Sequence, residues 1–160
     1  MDRSTAAVAA GTAVITAQYL GGRNNPTPAH PRTALWYAML RKPDFTPPGP
    51  VFGIVWTALD GLLAYSGYRL LRARPSVART SALSLWAIEV LGIGGFSWVL
   101  FGRKRLDQAT EVSAGMLATA IGTVAAASEV DRPAAIAILP LTAWVAFATL
   151  LQAEIWRRNR

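Results

Sequence analysis

Five long stretches of this 160-residue chain are nearly free of charge, and that pattern restricts its fold more than any other feature. Residues 5–22, 112–128 and 133–153 contain no Asp, Glu, Lys or Arg. Residues 45–68 contain only Asp60, and residues 80–102 only Glu89. A helix needs about 20 mainly apolar residues to cross a bilayer. In hydrocarbon a chain must satisfy its own backbone hydrogen bonds, which leaves helices or a closed barrel. These runs are too long and continuous for barrel strands. The chain therefore reads as all-α, an integral membrane five-transmembrane-helix bundle forming one domain over residues 1–160. The predicted spans are about 5–22, 51–71, 79–101, 108–128 and 133–156. A cleaved signal peptide is the competing reading of the first run. Against it, Asp2 offsets Arg3, and no clear small-residue cleavage site leads into a soluble domain.

Composition agrees. Charged residues make up 16% of the chain, against about 25% in soluble domains. The absence of cysteine excludes disulfides, thiolate metal sites and cysteine nucleophiles. The single histidine, His30, lies in a proline-flanked loop and reads as solvated rather than as a haem ligand, so no metal site and no catalytic triad are expected. A net charge of +7 invites a nucleic-acid reading. The basic residues, however, sit in short clusters between apolar runs, as anchors at lipid headgroups do. No nucleic-acid partner is expected. Arg3, Arg69, Arg72, Arg74, Arg79 and Arg132 fall on one side of the bundle. Arg23, Arg32, Arg41, Lys42, Arg103, Lys104, Arg105, Arg157, Arg158 and Arg160 fall on the other. The richer side faces the cytoplasm, so a multi-pass protein with a cytoplasmic C-terminus is expected.

Gly21-Gly22, Asn24-Asn25, Pro26, Pro28 and Pro31 stop the first helix, and residues 23–50 form the longest connection. Residues 36–40 suit a short interfacial helix, and residues 42–50 form a rigid proline segment. On the fourth span Gly115, Thr119, Gly122 and Ala126 make a small-residue face that permits close helix packing or dimerisation.

Two acids lie inside spans. Asp60 is twelve residues before Arg72 and Glu89 ten after Arg79. On antiparallel helices their depths differ by about 3 Å. Ionisable residues at that depth usually face the bundle interior or a wet cavity. At least one is expected to be protonated and to donate a hydrogen bond. Phe52, Trp56 and Asp60 share one face of the second span. Trp86, Glu89, Ile93 and Phe96 follow helical spacing on the third, and Pro140, Trp144, Phe147 and Leu151 on the fifth. Aromatic walls with a few polar points suit a flat, largely apolar ligand. The residues equally allow a structural reading, with ordinary aromatic packing and acids acting as polar glue. Trp98 and Trp156, near span ends, fit an interfacial belt.

The run Trp36-Tyr37-x-x-Leu40-x-Lys42-Pro43-x-Phe45-x-Pro47-Pro48-x-x-Val51-Phe52-x-x-x-Trp56-Thr57-x-Leu59 closely resembles the first loop and second helix of the TspO/MBR family, the tryptophan-rich sensory proteins and translocator proteins. Phe101-Gly102 with Lys104-Arg105 resembles the end of its third span. Pro140-x-x-x-Trp144, with Leu151, Glu154 and Arg157, resembles its fifth. The resemblance covers residues 34–159. It implies a five-helix bundle, commonly a homodimer, with a pocket under the first loop for porphyrins and other tetrapyrroles, sterols, or benzodiazepine- and isoquinoline-type drugs. Carried over by position, it assigns that pocket Phe45, Pro47, Phe52, Trp56, Asp60, Glu89, Ile93, Phe96, Trp144, Phe147 and Leu151; the stripe on the third span adds Trp86. Phe45 stands where the family usually has Trp, Asp60 where Tyr is common, and Glu89, Ile93 and Phe96 where Gln, Asn and Trp are usual. Leu141 and Gln152 replace the usual Tyr and Asn. The expected function is a membrane receptor or transporter of a porphyrin-type tetrapyrrole or similar hydrophobic molecule, with no required cofactor and no catalytic residue. The alternatives are light-dependent porphyrin breakdown, which Phe96 in place of Trp weakens, and regulation through membrane partners.

Overall fold

A computed structural model describes residues 1–160. It contains six α-helices: α1 (Arg3–Gly22), α2 (Pro31–Met39), α3 (Gly49–Arg72), α4 (Val77–Ser97), α5 (Leu106–Ser128) and α6 (Arg132–Asn159). A π-helical turn, Trp98–Gly102, continues α4. The five long helices fall on the five predicted spans. The short helix begins at Pro31, earlier than expected, because a proline in the first turn lacks only an N–H that no helical carbonyl would accept.

Three segments are long and apolar enough to cross a membrane: Val77–Gly102, Leu106–Ser128 and Arg132–Asn159. In their most apolar windows only 33%, 28% and 39% of the residues are buried within the protein, so most of that surface faces outward. Exposed Leu91, Ile121 and Leu150 belong to it. Helix α1 is diluted by Thr, Gly and Gln18, and α3 by Gly, Tyr and Asp60.

Three helix N-termini are closed by their own cap side chains. Asp2 accepts from Thr5 N, Ser76 from Arg79 N and Asp131 from Ala134 N, which caps α1, α4 and α6. At the C-terminus of α3, Arg79 donates to the Leu70 and Leu71 carbonyls at 2.9 and 3.0 Å. Its side chain therefore stitches the turn between α3 and α4.

Around the bundle the long helices run α1, α3, α6, α5, α4 and back to α1. The interior is built from small residues and aliphatics, among them Ala10, Val14, Leu63, Ile138 and Leu141. Helices α1 and α4 approach backbone to backbone: a Cβ on Gly21 would lie 3.3 Å from the Gly94 Cα. Between α3 and α4 the Trp86 indole fills the notch left by Gly67 and donates from Nε1 to the Leu63 carbonyl at 2.9 Å. That donor is spoken for and the ring is 7% exposed.

At one end of the bundle Arg69 grips Asp131 with two bonds, Nε to Oδ1 at 3.1 Å and Nη2 to Oδ2 at 2.8 Å. Burial pushes the Asp131 carboxyl up. The Arg69 bonds and the Ala134 N–H outweigh it and leave the group below its ordinary value of 3.8. The stability from this charge is therefore present above that value and is lost as pH falls through the folded-state value.

Two outcomes are expected. Gly67→Ala puts a methyl 2.4 Å from the Trp86 Cζ2 and should cost about 1–3 kcal/mol by overpacking, read as a lower Tm in detergent. Asp131→Asn should lower stability at neutral pH by about 1 kcal/mol. The gap to the unaltered protein should close as pH falls below 3.8; a gap independent of pH would show that the charge contributes nothing.

Candidate functional site

Helices α3 and α4 are pinned together at their shared turn, by Arg79 on α3 carbonyls and by Trp86 in the Gly67 notch. Towards the other end of the bundle a cavity of about 850 Å³ lies between them. Phe52, Trp56 and Asp60 line it from α3, and Ile93, Phe96 and Ser97 from α4. The π-helical turn adds Leu100 and Phe101. Helix α5 adds Ser113 and Met116, and α6 adds Trp144, Val145, Ala148, Leu151, Gln152 and Ile155. The first loop contributes Asn25, Pro26, Thr27, Lys42, Thr46 and Pro47.

The aromatic wall is a connected set. Phe52 meets Trp144 edge-on at 5.7 Å between centroids, Trp144 leans on Phe147 at 5.3 Å, and Phe147 meets Phe45 at 6.3 Å. Such pairs fix ring orientation as well as burying area. Phe52 and Trp144 therefore reach the cavity while Phe147 and Phe45 back them from outside, and Phe45 is half exposed.

Polar side chains share the lining with the rings, Asp60, Gln18, Gln152 and Ser113 among them. Asp60 Oδ1 accepts from Gln18 Nε2 of α1 at 2.8 Å, and both residues line the cavity. Gln152 donates to the Leu106 carbonyl at 3.3 Å, and Ser113 bonds Thr149 at 2.8 Å. Trp144 Nε1 is buried without a partner.

The first loop is braced within itself and tied to α6. The Lys42 ammonium bonds the Tyr37 carbonyl, lies 3.5 Å from those of Ala38 and Leu40, and sits 4.4 Å from the centre of the Tyr37 ring. A cation on the last carbonyls of α2 opposes the negative end of that helix. Burial draws the Lys42 ammonium below its ordinary value of 10.5. From the bundle, Asn159, the last residue of α6, pairs with the backbone of Arg41. Its Oδ1 accepts the Arg41 N–H at 3.0 Å and its Nδ2 donates to the Arg41 carbonyl at 2.9 Å. His30 stays within the loop, its Nδ1 3.1 Å from the Asn25 carbonyl and 3.2 Å from Thr27 Oγ1.

Of the twelve residues singled out in the sequence, Pro47, Phe52, Trp56, Asp60, Ile93, Phe96, Trp144 and Leu151 line the cavity. Phe45 and Phe147 stand behind its aromatic wall. Trp86 and Glu89 do not reach it. The expectation that the two acids share one chamber is corrected: Glu89 is 0% exposed and its Oε2 accepts from Thr119 Oγ1 of α5 at 2.6 Å. Depth along the helix was legible, but the direction of the side chain around the helix was not. Thr119, read as part of a small-residue face, is the partner that receives Glu89 there. Gln18 and Asn159 escaped notice because each is a lone amide with no periodic companion. Gln18 could have been found as the strongest hydrogen-bonding side chain within the first span.

Comparison with known proteins shows what the chain as a whole is similar to. Residues 7–157 match the model of the TspO/MBR family. The uncharacterized membrane protein YtaB of Bacillus subtilis is 32% identical over 127 residues, covering 78% of this chain and 80% of that protein. The tryptophan-rich sensory protein of Cereibacter sphaeroides is 31% identical over 124 residues, covering 78% and 77%. The translocator protein of Bos taurus is 28% identical over 130 residues, covering 78% and 75%.

Removing the clasp should loosen the loop. Asn159→Ala deletes both bonds to Arg41, a loss of about 1–2 kcal/mol. Hydrogen exchange and proteolytic nicking should rise within residues 40–48 while the long helices keep their protection. Unchanged exchange in that segment would show that Lys42 and Phe45 suffice to seat it.

Proposed function

This chain belongs to the TspO/MBR family, and from that premise we propose that it is a membrane receptor or transporter that binds a flat hydrophobic ligand, a porphyrin-type tetrapyrrole or a molecule of similar shape, in the cavity beneath the first loop. The observation that carries this reading is the cavity itself: about 850 Å³, walled by Phe52, Trp56, Phe96 and Trp144 and roofed by Pro47 and Lys42. Ligand sites are typically clefts of about 300–1,000 Å³ with mainly apolar walls and a few polar groups that fix orientation. The ligand stacks against the indoles of Trp56 and Trp144. The proline segment covers it, and Asp60, Gln18 and Gln152 supply directional bonds.

The finer membrane arrangement belongs to the same proposal. Helices α1 and α3, with 20 and 24 residues, span the bilayer beside the three more apolar helices. Enclosing the polar Gln18–Asp60 pair within the bundle removes its cost in lipid. The C-terminus lies in the cytoplasm, on the side richer in Lys and Arg. A second copy would cover part of the outward apolar surface to form the homodimer.

Protoporphyrin IX titrated into the detergent-purified protein should quench tryptophan emission saturably. Trp144→Leu should weaken binding by at least tenfold, about 1.4 kcal/mol, read from the remaining tryptophans. Glu89→Gln should leave affinity within about twofold, since that side chain is outside the cavity wall. Linear, non-saturating quenching would reject the ligand-binding reading.

A further inference from the structure

The cavity carries one acceptor that the protein leaves half used. Asp60 lies one helical turn below Trp56 and two below Phe52, on the same face of α3. Its Oδ1 accepts from Gln18, and that is the only hydrogen bond its side chain makes. No arginine or lysine pairs with it. Lys42 is the other residue of opposite formal charge in the wall, and its ammonium is engaged by the carbonyls ending α2 and by the Tyr37 ring. Opposite a protonated amine the carboxyl is held in its ionised form, which can only accept. Asp60 Oδ2 has no donor within the protein, so an entering molecule that brings a donor gains more than one that does not.

Building on the ligand-binding reading above, we propose that Asp60 makes this cavity selective for flat apolar molecules that carry a nitrogen donor, a protonated amine or a heterocyclic N–H. The nitrogen meets Asp60 Oδ2, while the ring system lies along Trp56 and Trp144. The indole of Trp56, a turn away, offers a face that also favours positive charge. Gln18 acts as the positioning residue, since its amide bond to Oδ1 fixes the carboxylate plane. The same geometry disfavours molecules that present a carboxylate or carbonyl to that end, because two acceptors would then oppose each other.

Three matched probes test this: 1-pyrenemethylamine, 1-pyrenemethanol and 1-pyrenecarboxylic acid, titrated at neutral pH and followed by tryptophan-to-pyrene energy transfer in nonionic detergent. The amine should bind at least tenfold more tightly than the alcohol, and the acid more weakly than either. Asp60→Asn should reduce amine affinity at least tenfold and leave alcohol affinity within twofold, with Asp60→Glu recovering part of the preference. Comparing each probe between variants cancels its partition into micelles. If the alcohol saturates but the unaltered protein shows no preference for the amine, the selectivity is overturned while the ligand-binding cavity stands. The same follows if Asp60→Asn keeps the preference. If neither these probes nor protoporphyrin IX saturates, the ligand-binding reading fails and the selectivity falls with it.

Discussion

Every feature of this molecule follows from one constraint: a backbone in hydrocarbon has to bond to itself. The solution adopted is one of long helices, four of the five with an N-terminus closed by a cap side chain or by proline. Because the lipid is as apolar as leucine, no hydrophobic gain draws these helices together. Contact has to come from fit, and the interior accordingly uses Gly21 against Gly94 and the Trp86 indole seated over Gly67. Large aliphatics such as Leu91 and Leu150 are left on the outside.

The cavity is a consequence of how two consecutive helices are pinned. Arg79 and Trp86 bind α3 to α4 near their shared turn. Between their other halves the space is filled only by side chains from α1, α5 and α6, and it stays open. The π-helical turn at the end of α4 sets Leu100 and Phe101 on the rim. The first loop then roofs the opening, stiffened internally by Lys42 on the α2 carbonyls and tied to α6 by Asn159 on the Arg41 backbone. Pocket and helix packing are thus one arrangement: a change at Gly67 or Asn159 reaches the chamber without touching a ligand.

Asp60 and Glu89 illustrate what a one-dimensional reading recovers. Their near-equal depth follows from residue counts and the helical rise. Their fates diverge because the two side chains leave their helices in different directions. Asp60 turns into the cavity beside Gln18, whereas Glu89 turns to Thr119 in the contact between α4 and α5. The aromatic stripes behave in the same way. Phe52 and Trp144 reach the chamber, while Phe147 and Phe45 brace them from behind. Trp86, spaced as a member of the α4 stripe, instead wedges two helices with its N–H already satisfied.

The order of the chain alone determined the helical class, the positions of the long helices, the proline-rich first loop and four aromatic residues of the cavity wall, Phe52, Trp56, Phe96 and Trp144. Those properties depend on local charge, periodicity and backbone chemistry, which neighbouring residues fix between them. Only the tertiary arrangement decided the circular order of helices, which acid faces the chamber, and the pairing of Asn159 with Arg41 across 118 positions of sequence. These depend on the rotation of each helix about its axis and on contacts between distant segments, and both are set by side-chain volumes meeting in three dimensions.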